Sequence, residues 1–145
     1  MIKRIAKVIW NGPLMEGNGV INTQGLKNIK FSVPTRFNQD VEQSSSNPEE
    51  LLISAHAGCF SMALSAELTK NKTPPKTINT TGELVMKNEP SGWKITDIHL
   101  VTKAVVPGAS ADVFNECAQR AKANCPVSKL FSGNCNVTLD AHLEK

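Results

Sequence analysis

Two cysteines occupy positions that suit redox chemistry. Cys59 lies in the middle of an apolar stretch that predicts a helix, and Cys125 directly precedes Pro126, which disfavours helical geometry in the residue before it. The two are 66 residues apart, so only folding can bring them together. If they meet, the pair suits a thiol peroxidase. One thiolate attacks the O–O bond of a peroxide, and the second thiol condenses with the resulting sulfenic acid to form a disulfide.

Simpler interpretations of the cysteines exist. A single cysteine on an apolar helix usually packs as a small hydrophobic residue. We expect this of Cys117, which lies on the apolar stripe of a predicted helix, and a structural role for Cys135, which precedes a predicted strand. The sequence has no Cys-x-x-Cys pair and no zinc-type spacing. It predicts no metal site.

A peroxidatic sulfur must be a thiolate, and a normal thiol is mostly protonated at neutral pH. Cys59 lies about three turns into its predicted helix, where the helix dipole has little effect, and burial would raise its pKa. A cation is therefore required. Arg36 is the best candidate, because its guanidinium cannot deprotonate and has a fork of donors that could hold both a thiolate and a carboxylate. Glu49 could orient that fork.

His56 lies three residues before Cys59, on the same face of the predicted helix. It could act as a general base or a zinc ligand, but a hydrogen-bonded core histidine is the better interpretation given Arg36. Trp93 and Phe37 could line an apolar pocket for an organic peroxide, and core packing is the safer expectation for both.

The central helix is predicted over residues 48–70. Asn47 is a suitable N-cap, Pro48 fits the first turn, and Glu49 and Glu50 suit the positive end of the dipole. Residues 51–64 are apolar or small on every face, which is typical of a buried helix, and the run is too short and too polar to span a bilayer.

The other elements give the order βββ-α-ββ-α-β, which predicts one α+β domain over 1–145 with antiparallel sheets, a long buried central helix and a second helix. The N-terminal part reads as a meander and the C-terminal part as ββαβ, with a polar loop at 38–46. Strands are predicted at 3–10, 20–24, 29–33, 77–87, 93–106 and 136–143, and the second helix at 110–124, followed by a short helical turn from 126.

Composition narrows the function classes. The 145 residues carry a net charge of +3 without a run of five basic residues, and only seven are aromatic. Nucleic-acid binding therefore has little support. The N-terminus has no apolar signal segment, so we expect a soluble, cytoplasmic protein that does not act at a membrane.

The sequence resembles the OsmC/Ohr family of organic hydroperoxide reductases, and the OsmC branch in particular. The resemblance covers essentially the whole chain, and the combination of its motifs is highly specific for this family. They are TRF at 35–37, NPEEL at 47–51, AHAGCFSMAL at 55–64 and CPVS at 125–128.

The resemblance implies that Cys59 is the peroxidatic cysteine, Cys125 the resolving one, and Arg36 with Glu49 the activating pair. It implies an OsmC-like intertwined homodimer with active sites at the subunit interface. It also implies reduction of organic hydroperoxides, and more weakly of hydrogen peroxide, to alcohols. Small dithiols or lipoylated proteins would be the reductants, with no bound cofactor.

Helix geometry adds one expectation about the dimer. Glu49 and Cys59 are ten residues apart, which is about 15 Å along a continuous helix. Either the helix begins later or kinks, or Glu49 comes from the other subunit, and we expect the partner chain to supply Glu49, with Arg36, to each Cys59. Two other functions remain open at this point: a metal-binding protein that uses His56, Cys59 and Cys125, and a non-catalytic small-ligand-binding protein with inert cysteines.

Overall fold

The computed structural model describes residues 1–37 and 45–144 and confirms the α+β class. The chain forms two compact units, Met1–Leu52 and Ile53–Lys145. In chain order the elements are β1 (Lys7–Asn11), β2 (Asn18–Asn22), β3 (Ile29–Phe31), α1 (Val33–Phe37), α2 (Pro48–Lys70), β4 (Thr77–Glu89), β5 (Gly92–Val105), α3 (Ala111–Asn124), α4 (Pro126–Phe131) and β6 (Asn136–Glu144).

The first unit contains the antiparallel meander β1-β2-β3, in which Ile9 pairs with Val20 and Ile21 with Ile29. Strand β1 is shorter than predicted, since it begins at Lys7 rather than at residue 3. All five of its residues are exposed in the single chain.

A short helix, α1, follows β3, where the sequence had suggested a strand to residue 33 and a loop carrying Arg36. The cause is local capping. The backbone N–H of Ser32 donates to Thr35 Oγ1 at 2.9 Å, and the N–H of Thr35 donates to Ser32 Oγ at 3.4 Å. Arg36 therefore lies on a helical turn. Of the predicted polar loop, residues 38–44 lie outside the described part of the chain.

Helix α2 begins as the sequence predicts. The side-chain oxygen of Asn47 accepts the backbone N–H of Glu50 at 2.8 Å, which satisfies one of the free donors of the first turn. The amide nitrogen of the same side chain donates to the carbonyl of Thr35 at 2.9 Å. Asn47 therefore joins the start of α2 to the helix that carries Arg36.

Replacing Asn47 tests this double role. Asn47→Ala removes both hydrogen bonds and should lower the free energy of unfolding by about 1 kcal/mol or more. Asn47→Ser keeps a capping oxygen on a side chain too short to reach the Thr35 carbonyl, so it should lose less stability than Asn47→Ala. Chemical denaturation measures both variants. Equal losses in the two would contradict the capping role.

The second unit contains a three-stranded sheet with β5 in the centre. Strands β4 and β5 are antiparallel, whereas β6 runs parallel to β5, which corrects the expectation of purely antiparallel sheets. The reason is the connection between them. Parallel neighbours need a long crossover, and α3 with α4 provides it.

Helix α2 buries one stripe rather than its whole surface in the single chain, formed by His56, Phe60, Leu64 and Leu68. This corrects the expectation of a helix buried on every face. The stripe belongs to the core of the second unit, where the Ser61 hydroxyl also donates to Thr80 Oγ1 at 2.8 Å. Among the described residues, α2 is the one helix long and apolar enough to cross a membrane, a property that core helices of soluble proteins share.

Close contact between α2 and β4 explains one glycine. A Cβ at Gly82 would lie 2.7 Å from Cγ1 of Ile53, closer than two carbon atoms can approach. The helix can therefore pack directly on the strand only because position 82 has no side chain.

Candidate active site

The structure brings Cys59 and Cys125 together within the second unit. Cys59 lies mid-way along α2 and is partly exposed, so it is less enclosed than the sequence suggested. Cys125 is fully buried at the junction of α3 and α4. Both thiols are free, and each lies close enough to the other to shift its pKa. Pro126 at the start of α4 creates the break in which Cys125 is held.

The two thiols have opposite electrostatic surroundings. Burial raises the pKa of Cys59, a contact with the backbone of Val127 lowers it, and the neighbouring Cys125 raises it, with a net increase. Burial would also raise the pKa of Cys125. The backbone N–H of Ser128, the Cys59 thiol, the Ser128 hydroxyl and the N–H of Val127 outweigh burial, and the pKa of Cys125 falls below its usual value. The contacts within this unit therefore favour ionisation of Cys125 over that of Cys59.

His56 and Ser128 form a buried pair beside the cysteines. His56 Nε2 lies 2.8 Å from Ser128 Oγ, and the imidazole packs on Phe131 with ring centroids 5.2 Å apart. Burial lowers the pKa of His56, which favours the neutral ring. The sequence suggested a hydrogen-bonded core histidine, and this is the geometry observed. Sequence reasoning did not assign a role to Ser128; its position three residues after Cys125 was the available signal.

The first unit contains the Arg36–Glu49 pair. Arg36 Nε donates to Glu49 Oε2 at 3.1 Å, an ion pair between α1 and the first turn of α2. Helix α2 is continuous between Glu49 and Cys59. Because the bond to Glu49 uses Nε, the carboxylate can orient the guanidinium while the Nη groups carry the other N–H donors of the fork.

Arg36 also lines a cavity of about 320 Å³ in the first unit. Its other walls are mainly apolar, and the rings of Trp10 and Phe31 pack there with centroids 5.5 Å apart. The lining residues are Trp10, Leu14, Phe31, Ser32, Val33, Arg36 and Pro48. The sequence singled out Phe37 and Trp93 as possible pocket residues, and neither is in this lining.

The two other cysteines have different partners. Cys117 is fully buried and accepts a hydrogen bond from Arg120 Nη2 at 3.2 Å, and Arg120 in turn pairs with Glu67 at 3.1 Å. Cys135 is partly buried, and burial raises its pKa. Over residues 1–37 and 45–144, no group of three His, Cys, Asp or Glu side chains could hold a metal ion.

Comparison with known proteins gives consistent matches. A family model described as "OsmC-like protein" matches residues 41–140. The chain is 37% identical to Peroxiredoxin OsmC of Escherichia coli over 93% of this chain and 92% of that protein. It is 28% identical to organic hydroperoxide resistance protein OhrA of Bacillus subtilis over 83% and 84% of the two chains. The crystal structure of an organic hydroperoxide resistance protein OsmC from Legionella pneumophila superposes with a TM-score of 0.77 at 23% identity, covering 98% of each chain.

Proposed function

The chain belongs to the OsmC-like protein family, and we propose that it reduces organic hydroperoxides to alcohols through a Cys59 sulfenic acid and a Cys59–Cys125 disulfide. Its relatives named peroxiredoxin and organic hydroperoxide resistance protein identify it as a thiol peroxidase, an oxidoreductase with an antioxidant role in oxidative stress. The observation that carries the proposed mechanism is the proximity of two free thiols that are 66 residues apart in the chain, each near enough to shift the pKa of the other.

The first step takes place at Cys59, the more accessible of the two sulfurs. Its thiolate attacks the terminal oxygen of the hydroperoxide and the O–O bond breaks. The alkoxide leaves and takes up a proton to give the alcohol, while the sulfur becomes a sulfenic acid. The peroxide is reduced by two electrons, and Cys59 is oxidised by two.

Cys125 then resolves the sulfenic acid. Its sulfur attacks the Cys59 sulfur, the S–O bond breaks, and the hydroxide leaves as water after protonation. The break between α3 and α4 suits this residue, because disulfide geometry requires the two Cα atoms to come within about 4.4–6.8 Å. A small dithiol or a lipoylated protein restores both thiols by thiol–disulfide exchange and is itself oxidised to a disulfide.

Arg36 and Glu49 activate Cys59 in this proposal. Burial and the neighbouring Cys125 both raise the pKa of Cys59, so a cation must favour its thiolate. Arg36 supplies that charge and Glu49 orients it through their 3.1 Å ion pair. We propose that the pair comes from the partner subunit of a homodimer, because ten residues of one helix separate Glu49 from Cys59 in the same chain.

Exposed apolar side chains support the homodimer. On β1, Ile9 is 64% exposed and Val8 is 56% exposed, and on α2 Met62 is 76% exposed. Exposed apolar side chains on a strand, and a long apolar helix that buries a single stripe, call for a covering surface. A second copy of the chain fits this need, since the same surfaces recur on it. We further propose a cytoplasmic location, where thiol reductants can regenerate the enzyme.

The cavity beside Arg36 supports a preference for organic substrates. Apolar walls next to a guanidinium can hold the alkyl group of a hydroperoxide while Arg36 binds its oxygens. We expect kcat/KM for cumene or tert-butyl hydroperoxide to exceed that for hydrogen peroxide by at least about tenfold, because each buried methylene contributes about 0.8 kcal/mol. Steady-state kinetics with each peroxide measures the ratio.

A pair of leucine variants controls this experiment. Leu14→Ala removes part of the cavity wall and should lower kcat/KM for the organic peroxides while leaving that for hydrogen peroxide unchanged. Leu26→Ala removes an exposed leucine outside that lining and should change neither. A kcat/KM for hydrogen peroxide equal to or above that for the organic peroxides would contradict the preference.

The proposed mechanism itself is tested by counting thiols. One equivalent of cumene hydroperoxide should remove two of the four thiols, and peptide mapping should find Cys59 linked to Cys125. Elemental analysis of the same protein tests the metal-binding alternative, which requires about one bound metal ion per chain. Retention of all four thiols, or loss of thiols at Cys117 and Cys135 instead, would overturn the mechanism.

A further inference from the structure

A line of buried polar groups leads from α2 to the resolving cysteine. His56 Nε2 is 2.8 Å from Ser128 Oγ, and both side chains are buried. Ser128 is the third residue of α4, whose N-cap is Cys125, and in a capped helix the side chains at these two positions lie on the same side of the first turn. The Ser128 hydroxyl is accordingly one of the groups that lower the pKa of Cys125. The proposed mechanism uses Cys125 and leaves His56 and Ser128 without a role. Burying polar side chains costs free energy unless they are paired, so two of them placed one after the other toward a reacting sulfur suggest a function.

The proton positions in this line can be deduced from the unpaired nitrogen of His56. Within the described part of the chain, His56 Nδ1 is buried without a hydrogen-bond partner. A neutral imidazole carries its single proton on one nitrogen, and either tautomer leaves Nδ1 unpaired. Unpaired buried N–H donors are rarer in proteins than unpaired buried acceptors, which favours the tautomer with a bare Nδ1. The proton therefore belongs on Nε2, which donates to Ser128 Oγ. The Ser128 hydroxyl proton is then free to point at the Cys125 sulfur.

We propose that His56 and Ser128 are positioning residues that direct the Ser128 hydroxyl proton at the Cys125 sulfur and so hold it as the thiolate that resolves the Cys59 sulfenic acid. This inference rests on the proposed function. The thiolate forms the S–S bond as the S–O bond of Cys59 breaks, and the departing hydroxide takes a proton from solvent to become water. When a dithiol later reduces the disulfide, the same donor stabilises Cys125 as the leaving thiolate.

Accessibility agrees with this division of roles. Cys125 is 0% exposed, whereas Cys59 is partly exposed. An external dithiol therefore reaches the Cys59 sulfur, and Cys125 must be the sulfur that leaves. A leaving thiolate in a buried site needs fixed donors, because no water is available to solvate it. Ser128 supplies one from its side chain.

The consequence is kinetic competition at Cys59. A sulfenic acid that is not resolved quickly reacts with a second peroxide and becomes a sulfinic acid, which the dithiol does not reduce. Ser128→Ala should therefore slow disulfide formation by about tenfold, the size expected for losing one hydrogen bond to a charged group. The ratio of sulfinic acid to disulfide at Cys59 should rise by a similar factor under excess cumene hydroperoxide.

Three further variants make the test specific. Ser128→Thr keeps the hydroxyl and should return the ratio toward that of the wild type. His56→Gln keeps an N–H donor and should be milder than His56→Leu, which removes the donor. Ser132→Ala, on an exposed serine at the end of α4, should leave the ratio unchanged. Mass spectrometry of the Cys59 peptide gives the ratio, and thermal denaturation shows whether each variant is folded.

The outcomes separate the two proposals. Wild-type protein that forms no Cys59–Cys125 disulfide would overturn both the proposed mechanism and this inference. A wild-type disulfide together with an unchanged ratio in folded Ser128→Ala would overturn this inference alone. Equal increases in Ser128→Ala and Ser128→Thr would also overturn it, because a purely steric role does not depend on the hydroxyl.

Discussion

Replacing Cys59 by serine should reduce kcat/KM for cumene hydroperoxide by a factor on the order of 10³ or more, the scale on which enzymes lose activity when the attacking atom is removed. Serine fits the space and keeps a hydrogen-bonding group beside Cys125, so the fold should persist. A hydroxyl is far less nucleophilic than a thiolate and cannot form the sulfenic acid. Peroxide consumption in the presence of a dithiol measures the loss.

Two other cysteine variants sharpen the interpretation. Cys135→Ser is the matched control, since Cys135 is a partly buried cysteine outside the pair, and we expect its activity to stay within about twofold of wild type, as for most substitutions away from a reacting group. Cys125→Ser should still consume the first equivalent of peroxide. It should then accumulate a sulfenic acid at Cys59 instead of a disulfide. Substantial turnover by Cys59→Ser would show that another group reacts with the peroxide.

The sequence predicted the features that depend on neighbouring residues. Helix α2 covers Pro48–Lys70, as expected. Residues next to each other in the chain determine where it begins, namely the Asn47 cap, Pro48 in the first turn and the two acidic residues that follow. The same holds for α3, where Ser110 Oγ accepts the backbone N–H of Val113 at 3.3 Å. These signals act over a few residues and need no knowledge of the rest of the fold.

The features that the sequence did not predict depend on distant partners. Alternation in residues 136–143 indicated a strand but not its neighbour, and β6 pairs parallel to β5. The apolar surface of α2 predicted that the helix is buried, but it did not predict which elements cover it. Within one chain only a single stripe of the helix is buried. Ser128 shows the same limit, because its role depends on His56, which lies 72 residues away in the chain.

The pKa shifts of the two thiols could be predicted only in part from the sequence, because they depend on contacts between residues far apart in the chain. The sequence predicted that burial raises the pKa of Cys59, and the contacts within the second unit do raise it. The lowered pKa of Cys125 was not predicted, because it depends on contacts that only the fold creates. This distribution is compatible with a peroxidase only if charge reaches Cys59 from outside that set of contacts. In the proposed mechanism Arg36 supplies that charge, and the partner subunit of a homodimer is its proposed source.

Mixed dimers test that source. Arg36→Ala and Cys59→Ser homodimers should each be nearly inactive, the first because loss of one charged donor at a reacting centre costs on the order of 10²–10³ in rate. If Arg36 acts across the interface, a dimer of one Arg36→Ala chain and one Cys59→Ser chain contains one complete site. It should recover about half of the wild-type activity per dimer, as expected for two independent sites related by twofold symmetry.

Co-expression of the two chains with different affinity tags yields the mixed dimer, and the Cys59→Ser chain paired with wild type provides the half-activity reference. The same design with Glu49→Gln in place of Arg36→Ala should also give recovery, because Glu49 and Arg36 are joined by the 3.1 Å ion pair and must act together. If Arg36 instead acts within its own chain, each site of the mixed dimer lacks either the sulfur or the guanidinium. Activity then stays at the level of the parent variants, and the interface has no part in activating the thiol.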